Sequence, residues 1–287
     1  HPVTLSPVAL KQLLRDQLGY NGVVTSDCME MKAIADNYGP GEAAVMGVLA
    51  GIDIVLFSHT REMQEAAYDA MLQAAHEGRI PADVIDAAVT RVQELKTRFA
   101  ITDAPNIDLI GNETHQQLAQ DAARAGLVAL QPNADLLPLP QGQRIVLVEF
   151  ASYLESNVLE SGGMTGLASQ LRERKADIES VALKSDGSDP DAFEQAKTLV
   201  AQADIVLLAT RNAHILPNQL ERAQALMQQA KRTLLLCLRN PYDAGSLTGA
   251  DAVLCTCGDS TPSLAAAVAA LLGEVTPTGQ LPVNVTT

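Results

Sequence analysis

The sequence predicts an α/β protein built in two successive parts. Three observations carry this. Short, wholly apolar runs such as Arg144-Ile145-Val146-Leu147-Val148-Glu149-Phe150 and Asp53-Ile54-Val55-Leu56-Phe57 are patterned as strands buried on both faces. Helical segments with one apolar face stand between these runs, as parallel βα units require. A break at 100–112, holding Pro105, Gly111 and several Asn and Asp residues, separates one βα series from the next.

Residues 6–18 open the first series as a helix. Ser6 is a candidate N-cap, Pro7 suits the first turn, and Leu10, Leu13, Leu14 and Leu18 fall on one face before Gly19 closes it. Gly22-Val23-Val24-Thr25 reads as a strand that Ser26-Asp27 ends, and 40–50 as a helix. The strand Asp53–Phe57 follows, then an amphipathic helix over 60–77. The last helix starts at Ile80-Pro81 and runs to Phe99, with Val84, Ile85, Ala88, Val92 and Leu95 on one face. After the break, helix 113–125 leads to strand 126–130. Strand 144–150, helix 164–174, strand 178–183, helix 189–202 and strand 204–210 come next. Helix 217–230, strand 233–238, strand 252–257 and helix 261–272 complete an open α/β sandwich of five or six strands over 113–287.

Composition narrows the function classes. The 287 residues carry 20 Lys and Arg against 34 Asp and Glu, a net charge of −14, which argues against nucleic acid and anionic membrane surfaces. No apolar run reaches the length of a membrane helix. Aromatics are 3% with no Trp, too few for base-stacking platforms or long polysaccharide grooves. The four cysteines, Cys28, Cys237, Cys255 and Cys257, do not make a disulfide framework and read as free thiols of a reducing compartment. His1-Pro2 is followed by no charged and apolar signal-peptide pattern.

Few residues present chemistry by position. Asp27 follows a buried parallel strand, where α/β folds place functional groups; position alone favours the other reading, a cap on the turn Cys28-Met29-Glu30-Met31. His59 follows the second strand and reads either as a ligand of a substrate hydroxyl or as a residue of the next helix's N-terminal turn. Cys255 and Cys257 fall on one face of a predicted strand and read as core, because no further Cys or His stands at metal-ligand spacing. Ser161-Gly162-Gly163-Met164-Thr165-Gly166 is not a G-x-G-x-x-G fingerprint and lies ten residues past its strand, so no nucleotide site is expected. His76, His115 and His214 read as solvated polar-face residues, and no Ser-His-Asp or Cys-His set is evident.

The stretch Pro2-Val3-Thr4-Leu5-Ser6, Leu18-Gly19-Tyr20-Asn21-Gly22-Val23-Val24 and Ser26-Asp27-Cys28-Met29-Glu30-Met31-Lys32-Ala33-Ile34 resembles glycoside hydrolase family 3, in its NagZ-type β-N-acetylhexosaminidase branch. Ala50-Gly51-Ile52-Asp53-Ile54-Val55-Leu56 and Ile85-Asp86-Ala87-Ala88-Val89-Thr90-Arg91-Val92 continue the resemblance. It returns at Leu238-Arg239-Asn240-Pro241-Tyr242-Asp243 and in the tail Gly273–Pro282. The resemblance implies that 1–99 is the C-terminal part of a (β/α)8 barrel, about two βα units, followed by the sandwich domain. It aligns Asp27 with the catalytic nucleophile of a retaining glycosidase, whose carboxylate forms a glycosyl-enzyme. Family glucosidases place Trp after the nucleophile; Cys28, with Met31 beyond it, resembles the hexosaminidase branch and implies N-acetylglucosamine as the sugar and cell-wall muropeptides as substrates.

The family's acid/base Asp-His pair and sugar-clamping Lys-His pair have no matching motif in these 287 residues. The chain is therefore expected to be the C-terminal portion of a longer enzyme and inactive alone. The expected partners are a small carbohydrate and the missing N-terminal barrel segment or a second chain. No cofactor, metal, nucleic acid or membrane is expected, and thiol usage with the lack of Trp points to the cytoplasm. The alternatives are a family 3 β-glucosidase or phosphorylase, or a non-catalytic binding module carried by the sandwich domain.

Overall fold

The computed structural model describes residues 2–99, 106–131, 133, 135–151, 166–174 and 178–285. The chain divides into two compact units, His1–Asn106 and Ile107–Thr287. The loop Ser161–Thr165 and positions 100–105 of the break lie outside the described residues.

In the first unit, Ser6 Oγ accepts the Ala9 N–H at 3.3 Å and starts a helix over Val8–Gln17. This helix is wound as a π-helix rather than an α-helix. The first strand, β1, is Thr25–Cys28, and β2 is Ile54–Leu56. They pair in parallel, with Thr25 opposite Ile54 and Cys28 opposite Leu56. The strand thus lies further along than the apolar run Gly22–Thr25, and Asp27 sits within it. The reason is a polar one. The ladder irregularity between Thr25 and Cys28 is bridged by a side chain, Ser26 Oγ, which accepts the Leu56 N–H at 2.9 Å. A helical turn, α1 (Lys32–Ala35), leads to α2 (Pro40–Ala50). Gly51, with φ 118°, turns the chain from α2 toward β2, a conformation that favours glycine.

Two helices follow, α3 (Arg61–His76) and α4 (Ala82–Phe99). Leu5, Leu10, Met29, Ile34, Ala43, Ala50 and Ile52 form the main core, and Val45, Ala74 and Ile80 a smaller one. The apolar face of α4 meets the expected periodicity but not the expected burial, since α4 has no buried residue. Ile85, Val89 and Val92 instead line, with Ile54, Tyr68 and Met71, an open cavity of about 580 Å³.

The second unit begins with α5 (Glu113–Ala125) and β3 (Val128–Gln131). Then come β4 (Ile145–Phe150), α6 (Leu167–Glu173), β5 (Glu179–Leu183), α7 (Pro190–Gln202), β6 (Ile205–Thr210) and α8 (Pro217–Gln229). The chain closes with β7 (Thr233–Cys237), the turn α9 (Asp243–Ser246), β8 (Ala252–Cys255) and α10 (Thr261–Leu271). The sheet order is β3-β8-β7-β6-β4-β5. Every pairing is parallel except β3 with β8. No direct βαβ crossover links these two, so nothing imposes a parallel direction on the edge strand.

Successive residues of each central strand face opposite layers. Val146, Val148 and Phe150 pack with Ala196, Val200, Ala223 and Leu226 of α7 and α8. Leu147 packs on the other face with Leu167, Leu171, Leu264 and Val268 of α6 and α10. The result is an α/β/α sandwich. Chain order reverses around β4, which puts the crevice at the carboxyl ends of β4 and β6. No helix among the described residues is long and apolar enough to cross a membrane.

Candidate functional site

Asp27 is exposed near the carboxyl end of β1, flanked by buried Ser26 and Cys28. Its Oδ1 accepts the N–H of Cys28 at 2.7 Å. The alternation of the strand explains the exposure: with Ser26 and Cys28 turned inward, Asp27 must turn outward.

Glu30, two residues past β1, has a side chain only 10% exposed and organises the loop between β2 and α3. Its Oε2 accepts the N–H of Ser58 at 2.7 Å and of His59 at 2.8 Å. Its Oε1 accepts the N–H of Thr60 at 2.7 Å. Burial alone would raise the Glu30 pKa. The Thr60 side chain, the His59 and Thr60 N–H groups and the Cys28 thiol together outweigh it and hold the pKa down at about 2.

His59 rides on this pinned loop with its side chain 43% exposed and Nδ1 3.4 Å from Glu30 Oε2. Cys28 Sγ lies 3.4 Å from that oxygen and 4.0 Å from His59 Nδ1. These three donor atoms are the one group among the described residues with the proximity to hold a metal ion. Thus β1 and the β2–α3 loop bring Asp27, Cys28, Glu30 and His59 to the same end of a two-strand parallel sheet.

A third carboxylate serves the opposite end. The Asp53 side chain, 1% exposed, accepts Arg15 Nη2 at 2.8 Å, the Val24 N–H at 2.8 Å, and Arg91 Nε and Nη2 at 3.0 and 2.7 Å. It lies just before β2 and ties the opening helix, β1 and α4 together. Position along the strand separates the two aspartates: the carboxyl end of a barrel strand carries function, the amino end stability.

The second unit has a buried polar cluster at its crevice. Glu149 near the end of β4 accepts the N–H groups of Leu167 and Ala168 at 3.1 and 3.3 Å and pairs with Arg211 Nη2 at 2.8 Å. Arg211 also donates to the Phe150 carbonyl, and its Nε lies 3.3 Å from Asp259. Beside it, buried Asp243 accepts Thr210 Oγ1 at 2.7 Å and holds His214 Nδ1 at 2.8 Å. His214 is therefore not the solvated residue its spacing suggests. Its ring is 21% exposed and stacks obliquely on Tyr242.

The cysteines separate by position. All four are free. Cys237 and Cys255 meet across β7 and β8, and their hydrogen bond, with burial, pushes the Cys237 thiol well up. Cys257 does not share the strand face of Cys255. It lies beyond β8 with φ 52° and is exposed, because the strand ends at Cys255.

Comparison with known proteins bears on the first unit most directly. Residues 1–95 match the model of the glycosyl hydrolase family 3 N-terminal domain. The chain is 24% identical to β-hexosaminidase A of Pseudoalteromonas piscicida, over 99% of this chain and 53% of that protein. It is 23% identical, with the same coverages, to a β-N-acetylglucosaminidase/β-glucosidase of Cellulomonas fimi. Among solved structures it is similar to a family 3 β-N-acetylglucosaminidase of Paenibacillus sp. str. FPU-7, with TM-score 0.84 and 28% identity. That match covers 99% of this chain and 55% of the other. The chain spans about half the length of these relatives.

Proposed function

We propose that this chain is part of a family 3 glycoside hydrolase, on the match of residues 1–95 to that family's N-terminal domain, and that Asp27 is the nucleophile of a retaining β-N-acetylglucosaminidase. The observation that carries the proposal is its placement. Asp27 is an exposed carboxylate at the carboxyl end of a parallel strand, in the segment that matches the family. In the reaction, an Asp27 oxygen attacks the anomeric carbon as the bond to the leaving-group oxygen breaks. Water then hydrolyses the glycosyl ester and returns a free carboxylate. Exposure leaves that carboxylate open to an incoming sugar. We assign to His59, on the loop that Glu30 fixes, a hydrogen bond to a sugar hydroxyl.

The substrate reading, terminal β-linked N-acetylglucosamine, is supported by the names of two proteins that each match 99% of the chain, a β-hexosaminidase and a β-N-acetylglucosaminidase. A closed barrel has eight strands, and the described residues of the first unit contribute two. We assign the acid/base group and the remaining sugar contacts to barrel elements other than these two. The open apolar cavity along α4 is the surface we assign to such a neighbour.

The test uses the whole enzyme and an activated fluoro-sugar analogue of N-acetylglucosamine. One sugar adduct on the peptide containing Asp27 is expected, and kcat of Asp27→Asn should fall on the order of 10³-fold or more. An adduct on a different carboxylate, or undiminished turnover by Asp27→Asn, would overturn the assignment. The isolated 287-residue chain should turn over an aryl N-acetylglucosaminide far more slowly than the whole enzyme; equal rates would sink the division of labour.

A further inference from the structure

We propose that Cys28, Glu30 and His59 form a binding site for a borderline-soft divalent cation, zinc being the fitting member. The inference goes beyond hydrolysis and does not depend on the role of Asp27. It rests on donor type, distance and orientation.

The donors are a thiol, an imidazole and a carboxylate, the set that zinc takes in preference to hard cations. Tetrahedral zinc, with bonds of roughly 2.0 to 2.3 Å to N, O and S, puts its donor atoms roughly 3.3 to 3.6 Å apart. Here Sγ to Oε2 is 3.4 Å, Nδ1 to Oε2 is 3.4 Å and Sγ to Nδ1 is 4.0 Å. Two edges already match, and a change of a few tenths of an ångström closes the third. The His59 side chain, 43% exposed, is the mobile corner that supplies it.

Without a cation the Cys28 thiol donates to Glu30 Oε2 at 3.4 Å, and a cation would take the place of that proton. Glu30 is already satisfied by three backbone N–H groups on the loop. Those N–H groups act as the outer contacts that orient a ligating carboxylate. The arrangement is rigid where a site must be rigid. Cys28 is held in β1, and Glu30 is clamped to the loop that carries His59. On binding, the Cys28 thiol releases its proton to solvent and His59 ligates through the Nδ1 lone pair. Three protein ligands leave a fourth position for water on the exposed side.

The experiment is titration of the reduced 287-residue chain with Co²⁺, then displacement by Zn²⁺. A thiolate-to-cobalt charge-transfer band and the strong visible bands of four-coordinate cobalt should appear at one equivalent and vanish with zinc. Cys28→Ser should lose the charge-transfer band. His59→Ala should weaken binding by about tenfold or more. His59 is exposed, so loss of binding in that variant cannot be assigned to unfolding; an unchanged circular dichroism spectrum checks this. Cys257→Ser, which removes the exposed thiol, should leave the band intact. No band in the wild type, a band that survives Cys28→Ser, one abolished by Cys257→Ser, or unchanged affinity in His59→Ala would each overturn the site.

Discussion

Replacing Asp53 by Ala should unfold the first unit at much milder conditions than replacing Asp27. The magnitude follows from the surroundings of each carboxylate. Asp53 is 1% exposed and accepts four hydrogen bonds, three of them from two guanidinium groups. Removing it leaves Arg15 and Arg91 facing each other across an empty position, and the Val24 N–H without its acceptor. Removal of one partner from a buried ion pair costs about 3–5 kcal/mol. Two features lower that figure. The Arg15 and Arg91 side chains are 16% and 24% exposed, so water reaches them. Arg15 also keeps carbonyl acceptors at Tyr20, Gly22 and Gly51. A loss of about 2–4 kcal/mol remains. Asp27 is exposed and caps only its own neighbour, so Asp27→Ala should stay within about 0.5 kcal/mol of wild type. Urea unfolding of the full chain, followed by circular dichroism and tyrosine fluorescence, measures both. A loss under 1 kcal/mol for Asp53→Ala, or equal losses for the two variants, would refute the assignment of stability to one end of the strands and function to the other.

Other perturbations test the remaining contacts. Glu30 carries a depressed pKa of about 2 against an ordinary 4.5, so its contribution is fully present above pH 4.5 and is lost as pH falls toward 2. At about 1.4 kcal/mol per unit the ceiling is about 3 kcal/mol. Glu30→Gln should flatten the acid limb of the stability curve, and an unaltered limb would contradict the loop-clamping role. Arg211→Met strands the buried Glu149 carboxylate with only two helix N–H donors, and should cost the second unit about 3–5 kcal/mol in urea. Gly279→Ala would press a Cβ to 2.7 Å from the Leu127 carbonyl and 2.9 Å from that of Ala125. Such overpacking against backbone should cost about 1–3 kcal/mol in a thermal melt, and a variant as stable as wild type would show that the tail moves freely.

The fold was legible where the physics is local. The runs around Val146, Leu207 and Leu235 are apolar because both faces of a central strand are covered, and they lie in the strands their pattern predicts. The long helices Arg61–His76 and Ala82–Phe99 likewise follow their periodicity. Periodicity did not reveal what covers a face: α4 has the pattern of a packed helix and no buried residue. The direction of β3 was equally invisible, since it depends on pairing with β8 from the far end of the chain. The displacement of β1 toward Asp27 has a similar cause. A Ser26 hydroxyl stands in for a backbone acceptor, and a hydrophobicity pattern cannot register that.

The candidate site divides along the same line. Asp27 was singled out by its place after a buried strand and by a family motif, and the structure leaves it exposed. Glu30 was not, although it lies three residues away. Its partners are the N–H groups of Ser58, His59 and Thr60, which every residue but proline offers, so no side-chain pattern announces them. The same holds for His214, whose partner Asp243 is 29 residues distant and enters from the loop after β7. In both cases a buried carboxylate takes the backbone or ring N–H of another loop, and only the sheet's register brings the two loops together. That register also decides the chemistry at β1. It sets Cys28 opposite Leu56, so the thiol of one strand end meets the loop that leaves the other. A one-residue slip would exchange the faces of Asp27 and Cys28, burying the acid and exposing the thiol. The pairing is held by the Ser26–Leu56 bond near the carboxyl end and by Asp53 at the other. The exposure of Asp27 therefore depends on Ser26 and Asp53, which hold the register from the two ends of the strands.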